Sequence, residues 1–108
     1  MTANDFRRAA LALPGAEEKA HMGHPDFRVG GKIFATLSYP DERFGALMLT
    51  PQQQERLVKR SPKAFQPAAG AWGRAGSTYV LLRLASRAVV VPALESAWQR
   101  RAPKKPLR

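Results

Sequence analysis

Apolar and polar positions recur along this chain with two different periods, and each change of period marks an element. Phe6, Ala9, Ala10 and Leu13 fall at the i, i+3, i+4, i+7 spacing of a helix with one buried stripe. Thr2, with Asp5 three residues on, reads as its N-terminal cap, and Pro14-Gly15 ends it. Residues 16 to 25 are mostly polar and read as a connection. Two β-prone runs follow, Asp26 to Val29 and Lys32 to Leu37, joined by Gly30-Gly31. Because both glycines tolerate positive φ, the pattern predicts a hairpin with a two-residue turn. That register pairs Val29 with Lys32 and Phe27 with Phe34, with Arg28, Ile33, Ala35 and Leu37 on the other face.

A third strand is predicted over Phe44 to Leu49. Thr50-Pro51-Gln52-Gln53 then supplies a threonine cap, a proline at the first helical position and a glutamine at the third. That helix should run through Leu57 and Val58 to about Arg60. Residues 66 to 77, rich in Gly, Ala and Pro, read as an irregular loop around Trp72. Thr78 to Leu84 has the alternation of a strand, which sends Val80, Leu82 and Leu84 one way and Tyr79, Leu81 and Arg83 the other. A last helix carries Val91, Leu94 and Trp98, with Pro92 expected in its first turn. The order predicts an α+β fold, a single domain over 1–108 with an antiparallel sheet and helices packed on one face. Residues 102–108 are expected to form a basic, flexible tail.

Composition narrows the chemistry. With 108 residues and no cysteine, the chain has room for one core and no disulfide, thiolate metal site or cysteine nucleophile. Neither a signal peptide nor a membrane span is legible, so a cytoplasmic monomer away from membranes is expected. The net charge of +10 is unevenly placed. Residues 1 to 49 hold six basic and six acidic side chains; residues 50 to 108 hold twelve basic ones against Glu55 and Glu95 alone. Such an excess attracts polyanions over a Debye length of about 8 Å at physiological salt.

Longer matches carry a resemblance. Leu13-Pro14-Gly15, the run from His21 to Ala35, Leu49-Thr50-Pro51, Ala71-Trp72-Gly73-Arg74, and Ala97-Trp98 before Ala102-Pro103-Lys104 are similar to the MmcQ/YjbR family of small bacterial proteins. The resemblance implies a frataxin-like (CyaY-like) fold and DNA binding of the predicted "double-wing" kind. It implies no catalytic or ligand residues.

The candidate site residues are therefore basic and aromatic. Arg56, Lys59, Arg60 and Lys63 crowd one helix end; Trp72 and Arg74 share a loop; Tyr79 and Arg83 share a strand face. Arg100, Arg101, Lys104 and Lys105 sit near the C-terminus. Phosphates call for Arg or Lys, and unstacked bases for exposed rings. Trp72 competes with a core role, because tryptophan is largely buried on average. His21, His24 and Asp26 have the donor types of a divalent-metal site, but on a loop they serve equally as turn caps. Gly30-Gly31-Lys32 lacks the spacing of a phosphate loop. No nucleophile–base pair and no paired carboxylates stand out, so no cofactor or catalytic residue is expected. A DNA-binding module leads, ahead of a protein- or small-ligand-binding adaptor using the mixed sheet faces, and of a metal-handling protein using the histidines.

Overall fold

The computed structural model describes residues 1–103. Its elements are α1 (Ala3–Leu11), β1 (Glu17–His21), β2 (His24–Val29), β3 (Lys32–Leu37), β4 (Phe44–Met48), α2 (Pro51–Arg60), β5 (Phe65–Pro67), α3 (Gly70–Arg74), β6 (Ser77–Leu81), a 3-10 turn (Leu82–Leu84) and α4 (Arg87–Arg101). The six strands form one antiparallel sheet in the order β1-β2-β3-β4-β6-β5. The predicted α+β architecture is observed, and α1, α2 and α4 cover one face of the sheet.

Both predicted helix starts carry complete capping boxes. The Thr2 hydroxyl accepts from the Asp5 N–H while the Asp5 carboxylate accepts from the Thr2 N–H; Thr50 and Gln53 repeat the arrangement on α2. The covered face is the core. Phe6 and Ala10 of α1, and Val90, Leu94 and Ala97 of α4, pack on Phe27, Phe34, Leu37, Leu47 and Val80 of the strands. Leu57 and Val58 of α2 close its flank. Trp98 Nε1 donates to the Pro14 carbonyl at 2.8 Å, which ties α4 to the end of α1.

Several sequence expectations are corrected. The connection over 16 to 25 contains β1, fully exposed along its length and paired in register with β2 through a tight turn at Met22-Gly23. An exposed edge strand has no apolar alternation to read, which is why its pattern looks like a loop. The Gly30-Gly31 turn forms with φ of 58° and 80°, and Val29 does pair with Lys32. Phe27, however, pairs with Ala35 and not Phe34, because a bulge intervenes. The extra residue turns Phe34 as well as Ala35 toward the helices, and both are fully buried.

Residues 66 to 77 are not an irregular loop: they hold most of β5 and all of α3. β6 ends at Leu81, and the 3-10 turn that replaces its predicted end removes Arg83 from the face of Tyr79. Pro92 is the sixth residue of α4, beyond the first turn, and Val91 is exposed while Val90 takes the core position. Arg100 and Arg101 form the last turn of that helix, whose C-cap is Ala102. Of the expected tail, residues 104–108 lie outside the described residues.

Candidate functional site

The second face of the sheet carries none of the three long helices. Registered neighbours across it are Lys19, Asp26, Thr36, Ala46, Tyr79 and Gln66, one from each strand. A small apolar cluster of Ala46, Ala68 and Tyr79, with Phe44 and Met48 beside it, forms part of the floor. Over this face lies a groove of about 780 Å³.

The short helix α3 makes one wall. Gly73 lets it sit there: a Cβ at this position would fall 1.7 Å from the Ala68 carbonyl oxygen. Gln54 of α2 fastens it, its amide donating to the Gly73 and Ser77 carbonyls at 2.9 Å each. Trp72 thereby projects over the groove, 62% exposed. This exposure removes the competing core role, since the helix that carries Trp72 lies against the uncovered face. Tyr39, 41% exposed, meets Trp72 with ring centroids 6.4 Å apart, and His24 meets Tyr39 at 5.4 Å, both edge-to-face. Edge contacts leave ring faces available for stacking.

The same face of the sheet holds a buried carboxylate. Asp26 is 0% exposed and accepts from Arg28 Nε at 2.8 Å and Nη2 at 3.1 Å, and its Oδ2 lies 2.7 Å from His21 Nδ1. The Arg28 hydrogen bonds, assisted by His21, hold the Asp26 carboxyl below the ordinary carboxylate range despite burial. The same bond holds the Arg28 guanidinium above its ordinary value. Arg28 and Asp26 are two apart on one strand, so both point to this face. Of the three candidate metal ligands, Asp26 bonds through both oxygens to Arg28 and His21, and His24 packs on Tyr39. Among the described residues no three His, Cys, Asp or Glu side chains gather as ligands.

Cations close the other end of the groove. Arg100 and Arg101 reach it from the last turn of α4, and Lys32 from the start of β3. No Asp or Glu lines the groove. Burial, and then the neighbouring Arg100 charge, lower the Arg101 guanidinium from its ordinary value.

Four of the expected nucleic-acid residues, Trp72, Tyr79, Arg100 and Arg101, thus meet in one groove. Tyr79 is nearly buried, its hydroxyl accepting from the Ala69 N–H at 3.4 Å, so it serves as floor. The other basic residues go elsewhere. Arg56 and Arg60 line a separate cleft of about 360 Å³ between α2 and α4. Lys59 is exposed and pairs with Glu55 at 3.5 Å; Lys63, Arg74 and Arg83 are exposed outside both cavities. Lys104 and Lys105 lie outside the described residues. The sequence reading missed Tyr39, Arg28 and Lys32 as groove residues. The signal for Arg28 was present, since its alternation with Asp26 puts opposite charges on one strand face.

Comparison with known proteins bears on the fold. The sequence profile of the YjbR family matches residues 11–100. A Deinococcus radiodurans protein with a DUF419 domain superposes with a TM-score of 0.75 at 18% identity, covering 90% of this chain and 75% of its own. A Pseudomonas syringae protein superposes with a TM-score of 0.72 at 16% identity, covering 94% of this chain and 99% of its own. No functionally curated protein matches the chain. Among the described residues no helix is long and apolar enough to cross a membrane.

Proposed function

We propose that this chain, which belongs to the YjbR family, is a binding module for single-stranded nucleic acid, DNA in the first instance, acting as a cytoplasmic monomer. The strand lies along the uncovered face of the sheet. Its bases stack on Trp72 and Tyr39, and its phosphates meet Lys32, Arg100 and Arg101 at the opposite end of the groove. The observation that carries this reading is the make-up of the groove: exposed rings, with Lys32, Arg100 and Arg101 making no salt bridge among the described residues and no Asp or Glu in its lining. Rings stack on any base and cations read only backbone, so the expected sequence preference is weak.

Oligothymidylate titrated into the protein tests this through tryptophan fluorescence. Trp72 is the exposed indole, whereas Trp98 is half-buried and bonded to Pro14. Quenching should saturate in the native chain and disappear in Trp72→Phe. With three phosphate-facing cations, log affinity should fall against log salt with a slope of about −2, at roughly 0.7 per single-strand contact. No saturable binding at about 50 mM salt, where counterion release favours association, would remove the proposal.

A further inference from the structure

We propose that Arg101, with Arg100 and Lys32 beside it, forms a preorganised subsite for a phosphate oxyanion at one end of the groove. The inference rests on the nucleic-acid reading and names the group that this end takes. Arg101 Nε is buried and has no hydrogen-bond partner among the described residues. A buried donor normally finds an acceptor, because withdrawal from water is otherwise uncompensated. The second half of the chain has two carboxylates: Glu55 pairs with Lys59, and neither Glu55 nor Glu95 lines the groove. Two adjacent arginines also repel each other, and each lowers its cost when an anion arrives.

The position is held by backbone. A Cβ on Gly30 would fall 2.5 Å from Pro103 Cγ, so the end of α4 is seated directly on the β2–β3 turn. Arg101, two residues before Pro103, and Lys32, two residues after Gly30, both line the groove near this contact. Arg100 is steadied separately, its Nη1 donating to the Met48 carbonyl at 3.4 Å. The C-terminal dipole of α4 favours cations here, but among the described residues Arg101 Nε still lacks an acceptor. A tetrahedral oxyanion supplies several, in the geometry a guanidinium fork matches.

Side-chain 1H–15N spectra of the full chain test this, with the Arg101 Nε–Hε resonance assigned by its loss in Arg101→Lys. Inorganic phosphate, added at constant ionic strength against chloride, should shift that resonance saturably and more than the resonance of Arg83. An Arg101 response no larger than that of Arg83 overturns the subsite. Arg101→Lys keeps the charge and removes the Nε donor, so oligothymidylate affinity should fall about tenfold at an unchanged melting temperature. Arg83→Lys should leave affinity unchanged, and equal effects of the two variants overturn the subsite. If oligothymidylate quenches Trp72 while Arg101 ignores phosphate, the subsite is wrong and the groove reading stands. If phosphate shifts Arg101 but no oligonucleotide binds, the subsite stands and the groove reading is wrong.

Discussion

The two faces of this sheet are built from alternate residues of the same strands, yet they meet opposite demands. On one face Phe27, Phe34, Leu37 and Val80 lie buried beneath the long helices, withdrawn from water. On the other, Arg28 and Thr36 share the groove with Ala46, Met48 and Tyr79 above the buried Asp26. Among the described helices the five-residue α3 forms its wall, while the last turn of α4 reaches one end. The first face stabilises the fold. The second carries a buried charge, exposed rings and cations without a salt bridge among the described residues, which stability alone does not require. Such features concentrate where a protein binds something.

The sharpest break in this comparison is a cavity on the covered face. Phe34→Ala should cost about 4 kcal/mol in urea unfolding, because a fully buried ring is removed from a close-packed layer. Asp26→Asn on the open face should cost less, about 2 kcal/mol, since Arg28 and His21 remain partly solvated when their anion is gone. Its pH dependence has a definite sign. Pairing lowers the folded-state pKa of Asp26, so its stabilisation is complete above the ordinary value of 3.8 and is lost as pH falls through the lower folded value. The stability gap between the native chain and Asp26→Asn should therefore narrow only below about pH 4. A gap unchanged across that range would mean that Asp26 is not held as an ion.

Smaller stability effects sharpen the contrast further. Arg100→Gln with Arg101→Gln should change unfolding free energy by about 0.5 kcal/mol or less, while cutting the salt slope of oligothymidylate binding from about −2 to about −0.7. Trp72→Ala should be the quietest of all in unfolding, within about 0.5 kcal/mol, because the ring is exposed. It should nonetheless weaken oligothymidylate binding about tenfold, the loss of one stacked base.

How far these features could be read without coordinates depended on where each signal resides. Helix starts are local chemistry, and Thr2/Asp5 and Thr50/Gln53 cap as their spacing predicts. β1 escaped because an exposed edge strand buries nothing and so shows no alternation. The Phe34 bulge escaped because an inserted residue in one strand is visible only against its partner. The exposure of Trp72 was not legible for a related reason: it depends on α3 lying on the uncovered face, which Gly73 permits by its close approach to Ala68 and Gln54 secures through bonds distant in sequence. Charge asymmetry pointed to a basic surface but treated all second-half cations alike. The fold divides them, sending Arg100 and Arg101 to the groove and Arg56 and Arg60 to the cleft between α2 and α4.

That division makes one measurement decisive. Backbone amide shifts of the labelled protein, followed as oligothymidylate is added at low salt, report which surface the strand touches. The account predicts that the largest shifts fall on Thr36, Ala46, Trp72, Tyr79, Arg100 and Arg101, with α1 silent. Shifts centred on Arg56 and Arg60 of α2, or none at any ratio, would contradict it.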